Sequence, residues 1–154
     1  MTKTLNEDEQ RRRREFFRRH WEHGVKFNAL CGLHIVTWRP DLVEIRLPYS
    51  EQLSAHDGVF HGGVVAALVD TAGVGAVMAG HDYAKGSRSS TVSLALNYLS
   101  VAAGDLTARG HCVKRGGRIH FSEVVVLRGD GQPCARGQVA VSISGERAGV
   151  ELAT

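Results

Sequence analysis

The chain has 154 residues, 43% hydrophobic and 23% charged, with a formal net charge of +3; that balance suits one domain with its own core. Lys3, Arg11 to Arg14, Arg18 and Arg19 outweigh Glu7, Asp8, Glu9, Glu15 and Glu22, so most of the excess charge sits at the N-terminus. The remainder is too close to neutral for a broad nucleic-acid surface.

Cys31, Cys112 and Cys134 have no CxxC spacing, which predicts reduced thiols in a cytoplasmic protein. No metal-ligand cluster stands out among the histidines, so no metal is expected. The first residues lack the apolar stretch of a signal peptide. The longest apolar run, 64–80, is short for a membrane span and contains Asp70 and several glycines. No membrane association is expected.

Residues 7–23 read as a basic helix, with Asn6 as cap and Glu7, Asp8 and Glu9 at its positive end. Phe16, Phe17, His20 and Trp21 form a short docking stripe, and the arginine run reads as a solvated face or a binding arm. Gly24 ends the helix. Residues 33–38 read as a strand, Pro40-Asp41 as a turn, and "VEIRL" at 43–47 as a half-buried strand closed by Pro48. A loop follows to about Phe60.

Residues 62–79 are apolar nearly all round, the pattern of a helix buried on every side. Helical spacing places Gly63, Ala66, Ala67, Asp70, Gly73 and Val74 on one face of small residues. Val65, Leu68, Val69 and Ala72 fall on the bulkier side. Beyond a polar loop at 81–89, residues 91–99, 106–113, 119–127 and 134–144 read as antiparallel strands. The "RGGR" at 115–118 and "GDGQP" at 129–133 supply the turns. The division is an N-terminal basic helix (1–24), a main domain (25–144) and a tail (145–154). The order implies an α+β fold, a curved antiparallel sheet wrapped around the long central helix. One sheet covers only part of a helix, so the N-terminal helix or a second subunit must cover the rest.

Two glycines opening a helix leave its first N–H groups bare at the positive end of the dipole. They serve either as donors to a carbonyl oxygen or as close-packing residues. Asp70 is the only charged side chain between Gly58 and Gly80. It is either a structural acid or a nucleophile or general base beside a slot cleared by Ala66, Ala67 and Gly73. Gly62 and Asp70 are about 12 Å apart along a helix, too far to act on one carbonyl from one chain. Two chains with antiparallel helices about a two-fold axis would bring Gly62 of one to Asp70 of the other.

"HGG" followed by "LVDTA", then "TVSLALNYL", the "GGR" hairpin and "DGQPCARGQVAVSI", resembles the hotdog-fold acyl-CoA thioesterases of the phenylacetate-pathway (PaaI-like) branch, from about Leu33 to Ser144. The resemblance implies a hotdog fold, dimers or dimers of dimers, and hydrolysis of an acyl- or aryl-CoA thioester without a bound cofactor. It implies that Gly62 donates its N–H to the thioester carbonyl, that Asp70 is the catalytic acid, and that Thr91 places water or that acid. Relatives often carry Asn or Gln where this chain has Ala55, and the adjacent His56 is a substitute. His61 either positions the turn or meets the substrate carbonyl, beside Gly63. His111 and His120 fall in strands and are expected to make local contacts. Arg88, Arg115 and Arg118 are candidates for the CoA phosphates. Two alternatives stand beside hydrolysis: a hotdog hydratase-dehydratase using a His/Asp pair, and a non-catalytic acyl-CoA-binding dimer.

Overall fold

The structure, a computed structural model, describes residues 4–146. Helix α1 runs Glu7–Arg19. Asn6 and Glu9 close a reciprocal capping box, each side chain accepting from the other's backbone N–H at 2.9 Å. The chain continues through a π turn, His20–Gly24, in which the Val25 N–H reaches back to the His20 carbonyl. Helix α2 (Lys26–Cys31) follows and ends at Gly32 with φ +70°, a left-handed conformation that glycine adopts without strain.

Strands β1 (His34–Arg39) and β2 (Leu42–Leu47) form a hairpin. A small hairpin, β3 (Ser54–His56) and β4 (Val59–Phe60), occupies the expected loop. Helix α3 spans Gly62–Ala79, the range read from the sequence. Four long strands follow: β5 (Arg88–Tyr98), β6 (Leu106–Arg115), β7 (Ile119–Arg128) and β8 (Pro133–Ser144). The large sheet has the order β1-β2-β6-β7-β8-β5, antiparallel throughout. It wraps α3, as the hotdog resemblance implies. Beyond residue 146, the predicted tail lies outside the described residues.

The helix presses closely on the sheet. A Cβ at Gly110 would run into the Ala72 carbonyl, and one at Gly73 would sit 2.8 Å from Ser122 Oγ. Val65, Leu68, Val69 and Ala72 are buried, as the bulkier face requires. Burial on every side holds only for the second half, from Ala72 to Ala79. In the first half Gly63 is exposed and Ala66, Ala67 and Asp70 are only half-buried, because a single sheet leaves one side of that half open. By length and composition α3 could cross a membrane, yet most of it is enclosed by this fold.

The N-terminal layer covers the far half of α3. Phe17 stacks on Tyr83 with ring centroids 5.3 Å apart, Arg14 Nε donates to the Ala79 carbonyl at 2.6 Å, and Trp38 Nε1 donates to the Arg14 carbonyl. The arginine run is therefore not one solvated face. Arg11 and Arg12 are exposed, Arg14 is half-buried, and Arg13 is only 3% exposed. Phe17 and Trp21 of the predicted stripe are buried, and Phe16 and His20 half-buried. All three cysteines are free and buried.

At the C-terminal end of α3, His81 and His120 are both buried, their rings 5.6 Å apart. Neither His81 Nε2 nor His120 Nδ1 has a hydrogen-bond partner among the described residues. His120 is thus buried without the contact at Nδ1 expected of a satisfied strand histidine. Burial pushes the His81 imidazole down to about 4 from its ordinary 6.5, and neighbouring His120 and Arg115 push the same way. Below pH 6.5 the unfolded chain takes up this proton while the folded chain does not until about pH 4. Stability should therefore fall as pH drops through that window, by about 3 kcal/mol from this group. Thermal unfolding between pH 7 and pH 4, with His81→Gln expected to flatten the slope, checks it.

Candidate active site

The start of α3 is built by its cap. His61 is extended (φ −60°, ψ 136°), and its Nδ1 accepts from the Gly63 N–H at 2.9 Å. Its carbonyl accepts from the Val64 and Val65 N–H groups. The Gly62 N–H is thereby left as the donor with no acceptor among the described residues. It stands at the positive end of an eighteen-residue helix. Because Nδ1 accepts, the neutral His61 ring carries its proton on Nε2. The Tyr98 O–H, at the end of β5, donates to the Gly62 carbonyl at 2.6 Å and so fixes the plane of the peptide beside the bare N–H.

Two turns along the helix, Thr91 Oγ1 donates to Asp70 Oδ1 at 2.7 Å. The other carboxylate oxygen has no partner among the described residues. Thr91 reaches Asp70 because β5 lies at the edge of the sheet, alongside the open half of α3. A bulge between Thr91 and Ser93 breaks the ladder beside it. Asp70, Thr71, Thr91 and Ser89 line an open cleft of about 220 Å³ together with Trp21, Val25 and Asn28. Asp70 is thus a half-buried acid at a cleft, not one sealed in the core.

The remaining sequence candidates are distributed unevenly. Arg88 is exposed at the head of β5, on the strand that carries Thr91, with Nη2 3.3 Å from the Glu146 carbonyl. Arg118 is exposed in the β6–β7 hairpin. Arg115 is bound to Asp41 and to the Val77 carbonyl, near the end of α3 remote from Gly62. His56 is exposed on β3 and makes no described hydrogen bond to Gly62, Asp70 or Thr91. Sequence reasoning missed Tyr98 and Asn28. Tyr98 is separated by 36 residues from Gly62, and nothing in the alternation of β5 marks it. Asn28 lies in α2, whose six residues are too few to show a period.

A sheet of this order wrapped around one long helix defines the hotdog fold. A sequence model described as the thioesterase superfamily matches residues 57–135. A protein of Halobacterium salinarum described as a candidate esterase is 35% identical over 109 residues, covering 69% of this chain and 71% of that protein. The chain belongs to the thioesterase superfamily. The conserved protein PA5202 of Pseudomonas aeruginosa is 28% identical, with a TM-score of 0.69 over 77% of this chain and 93% of that one. A Streptococcus pneumoniae structure, described as a hypothetical thioesterase protein with coenzyme A, shares the fold at 21% identity and a TM-score of 0.66, covering 75% of this chain and 88% of that one.

Proposed function

We propose that the protein is a cytoplasmic acyl-CoA thioesterase that hydrolyses an acyl- or aryl-CoA to the free acid and CoA. The carrying observation is the pair Thr91–Asp70, opening on a cleft, two turns from a bare Gly62 N–H. The superfamily supports thioester chemistry, and the coenzyme A of the Streptococcus structure supports the thiol carrier. The "HGG" motif at 61–63, with the acid eight residues after its first glycine, supports the PaaI-like branch.

The working unit in this reading is a dimer. Strand β5 pairs with β8 on one side only. Its free edge is long and apolar, with Val92 58%, Tyr98 54% and neighbouring Leu99 51% exposed. Such an edge invites another strand, and a second copy pairing there would bring the open halves of two α3 helices together. Gly62 of one protomer would then polarise the thioester carbonyl held near Asp70 of the other. Exposed Val113 and Phe121 on the outer face offer a surface for a dimer of dimers.

In one route the Asp70 carboxylate attacks the carbonyl carbon, the C–S bond breaks, CoA leaves as thiolate and takes a proton, and water hydrolyses the resulting anhydride. In the other, Asp70 takes a proton from water, whose oxygen attacks the carbon as the C–S bond breaks. Thr91 fixes the carboxylate in both, and Gly62 N–H stabilises the oxyanion. Arg88, Arg118 and, less directly, Arg115 are the cations available to the CoA phosphates, while His56, His61 and Gly63 flank the entrance.

The hydratase reading calls for a histidine working together with the acid. Asp70 is instead bound to Thr91, and His61 uses Nδ1 on Gly63, which favours hydrolysis. Thiol release across a panel of acyl-CoAs tests the proposal. Loss of enoyl absorbance without thiol would indicate the hydratase, and CoA binding without either would indicate a binding protein. Tyr98→Phe frees the Gly62 carbonyl and should lower kcat by about five- to tenfold, the worth of one hydrogen bond. KM should be unchanged, as steady-state kinetics will show.

A further inference from the structure

The N-terminal layer is joined to the residue next to the acid. Trp21 Nε1–H donates to the Thr71 carbonyl at 3.0 Å. Asn28 Nδ2–H donates to the Trp21 carbonyl at 2.8 Å, and Thr71 Oγ1–H donates to Asn28 Oδ1 at 3.3 Å. Asn28 is only 3% exposed, so these polar groups are spent on one another. The layer contributes Trp21, Val25 and Asn28 to the cleft beside Asp70, whose lining also includes Val74. The π turn at His20–Gly24 and the extended Val25 (φ −77°, ψ 109°) break the helix axis there. That break brings the π turn, Val25 and Asn28 of α2 to the cleft. Gly75 keeps the space for the indole, since a Cβ there would lie 3.1 Å from Trp21 Nε1.

We propose that this layer is the specificity wall of the site. Trp21 and Val25 set the size of the acyl group that fits beside Asp70, and Asn28 is the positioning residue that holds them to Thr71. The occupant is a small apolar acyl group, a short chain or one aryl ring. In one protomer the open cleft measures about 220 Å³, and in this reading the second protomer closes the rest of it. The inference rests on the thioesterase reading for its substrate, but not for its geometry.

Two measurements test it. In turnover, Val25→Phe should lower kcat/KM for hexanoyl-CoA and phenylacetyl-CoA by about tenfold or more, the scale of discrimination by pocket filling. Acetyl-CoA hydrolysis should fall less, so that the acetyl-to-hexanoyl ratio of kcat/KM rises by about tenfold. Val25→Ala should shift the preference toward longer chains. An equal effect on every acyl length, or none, overturns the wall. At equilibrium, 6-bromohexanoyl-CoA bound to the Asp70→Asn protein should quench tryptophan fluorescence by contact, and Trp21→Phe should remove that quenching while calorimetry still reports binding. Binding without quenching, or no binding, also overturns it. If no acyl-CoA is hydrolysed but the Trp21 quenching is seen, hydrolysis fails as the function while the wall stands.

Discussion

Asp70→Asn is expected to lower the turnover of a good acyl-CoA substrate by about 10²–10⁴-fold, the range for a removed acid–base group. The substitution is nearly isosteric. Asn Oδ1 can still accept from Thr91 Oγ1, which lies 2.7 Å from the present carboxylate oxygen, so the cleft keeps its shape. What is lost is the negative charge and the basic oxygen. The position is half-buried and the carboxylate forms no ion pair among the described residues, so no buried cation is left unpaired. Substrate affinity, measured by calorimetry with a non-hydrolysable acyl-CoA thioether, should change little. The thermal midpoint should stay within a few degrees, consistent with a surface-like change of about 0.5 kcal/mol or less. A kcat within threefold of wild type would remove Asp70 from the chemistry whatever the fold suggests.

The long elements were readable because their periods are strong. The α3 boundaries follow from two glycines at one end and Gly80 at the other, with a run between that is apolar but for Asp70 and Thr71. The four long strands follow from alternation punctuated by "RGGR" and "GDGQP". Short elements carry no such signal. Lys26–Cys31 and the Ser54–Phe60 hairpin have too few residues to repeat a pattern, so the first carries no helical signal and the second reads as loop. The arginine run misled for another reason. Sequence gives charge but not the direction of the helix face. Arg13 and Arg14 point back toward the core while Arg11 and Arg12 point out.

The site was legible where chemistry is local. The His-Gly-Gly turn and the acid two helical turns later lie in one stretch, and helix geometry alone sets their separation. Thr91 came only through resemblance, because its approach to Asp70 depends on which strand ends the sheet. Tyr98 and Asn28 depend on the same tertiary placement. Asp70 itself was expected in the core because the surrounding residues are apolar. It is half-open because a six-stranded sheet cannot enclose a helix. That opening makes one carboxylate tolerable without a cationic partner, and it leaves the carboxylate accessible from the cleft.

The proposed division of labour between chains can be measured by complementation. Gly62→Pro deletes the N–H proposed as oxyanion donor. Proline is tolerated at the first position of a helix, where no intrahelical bond is lost. His61 already has the extended backbone that a residue before proline requires (φ −60°, ψ 136°). A Cβ at Gly62 would lie no closer than 3.4 Å to Tyr98, so the variant should fold. Its kcat should fall by about 10²–10³-fold, the cost of one oxyanion donor. Asp70→Asn homodimers should be inactive for the separate reason given above. Co-expressed in equal amounts, the two chains form mixed dimers in about half of cases by random pairing. In each mixed dimer one site carries Gly62 and Asp70 intact, and the other carries both lesions. Activity should therefore return to about a quarter of wild type, one working site in half the dimers. If both groups served the same site from the same chain, every site in the mixture would carry a lesion and activity would stay at the level of the single variants. The proline chain tagged for purification allows mixed dimers to be isolated, and their expected activity per dimer is about half that of wild type.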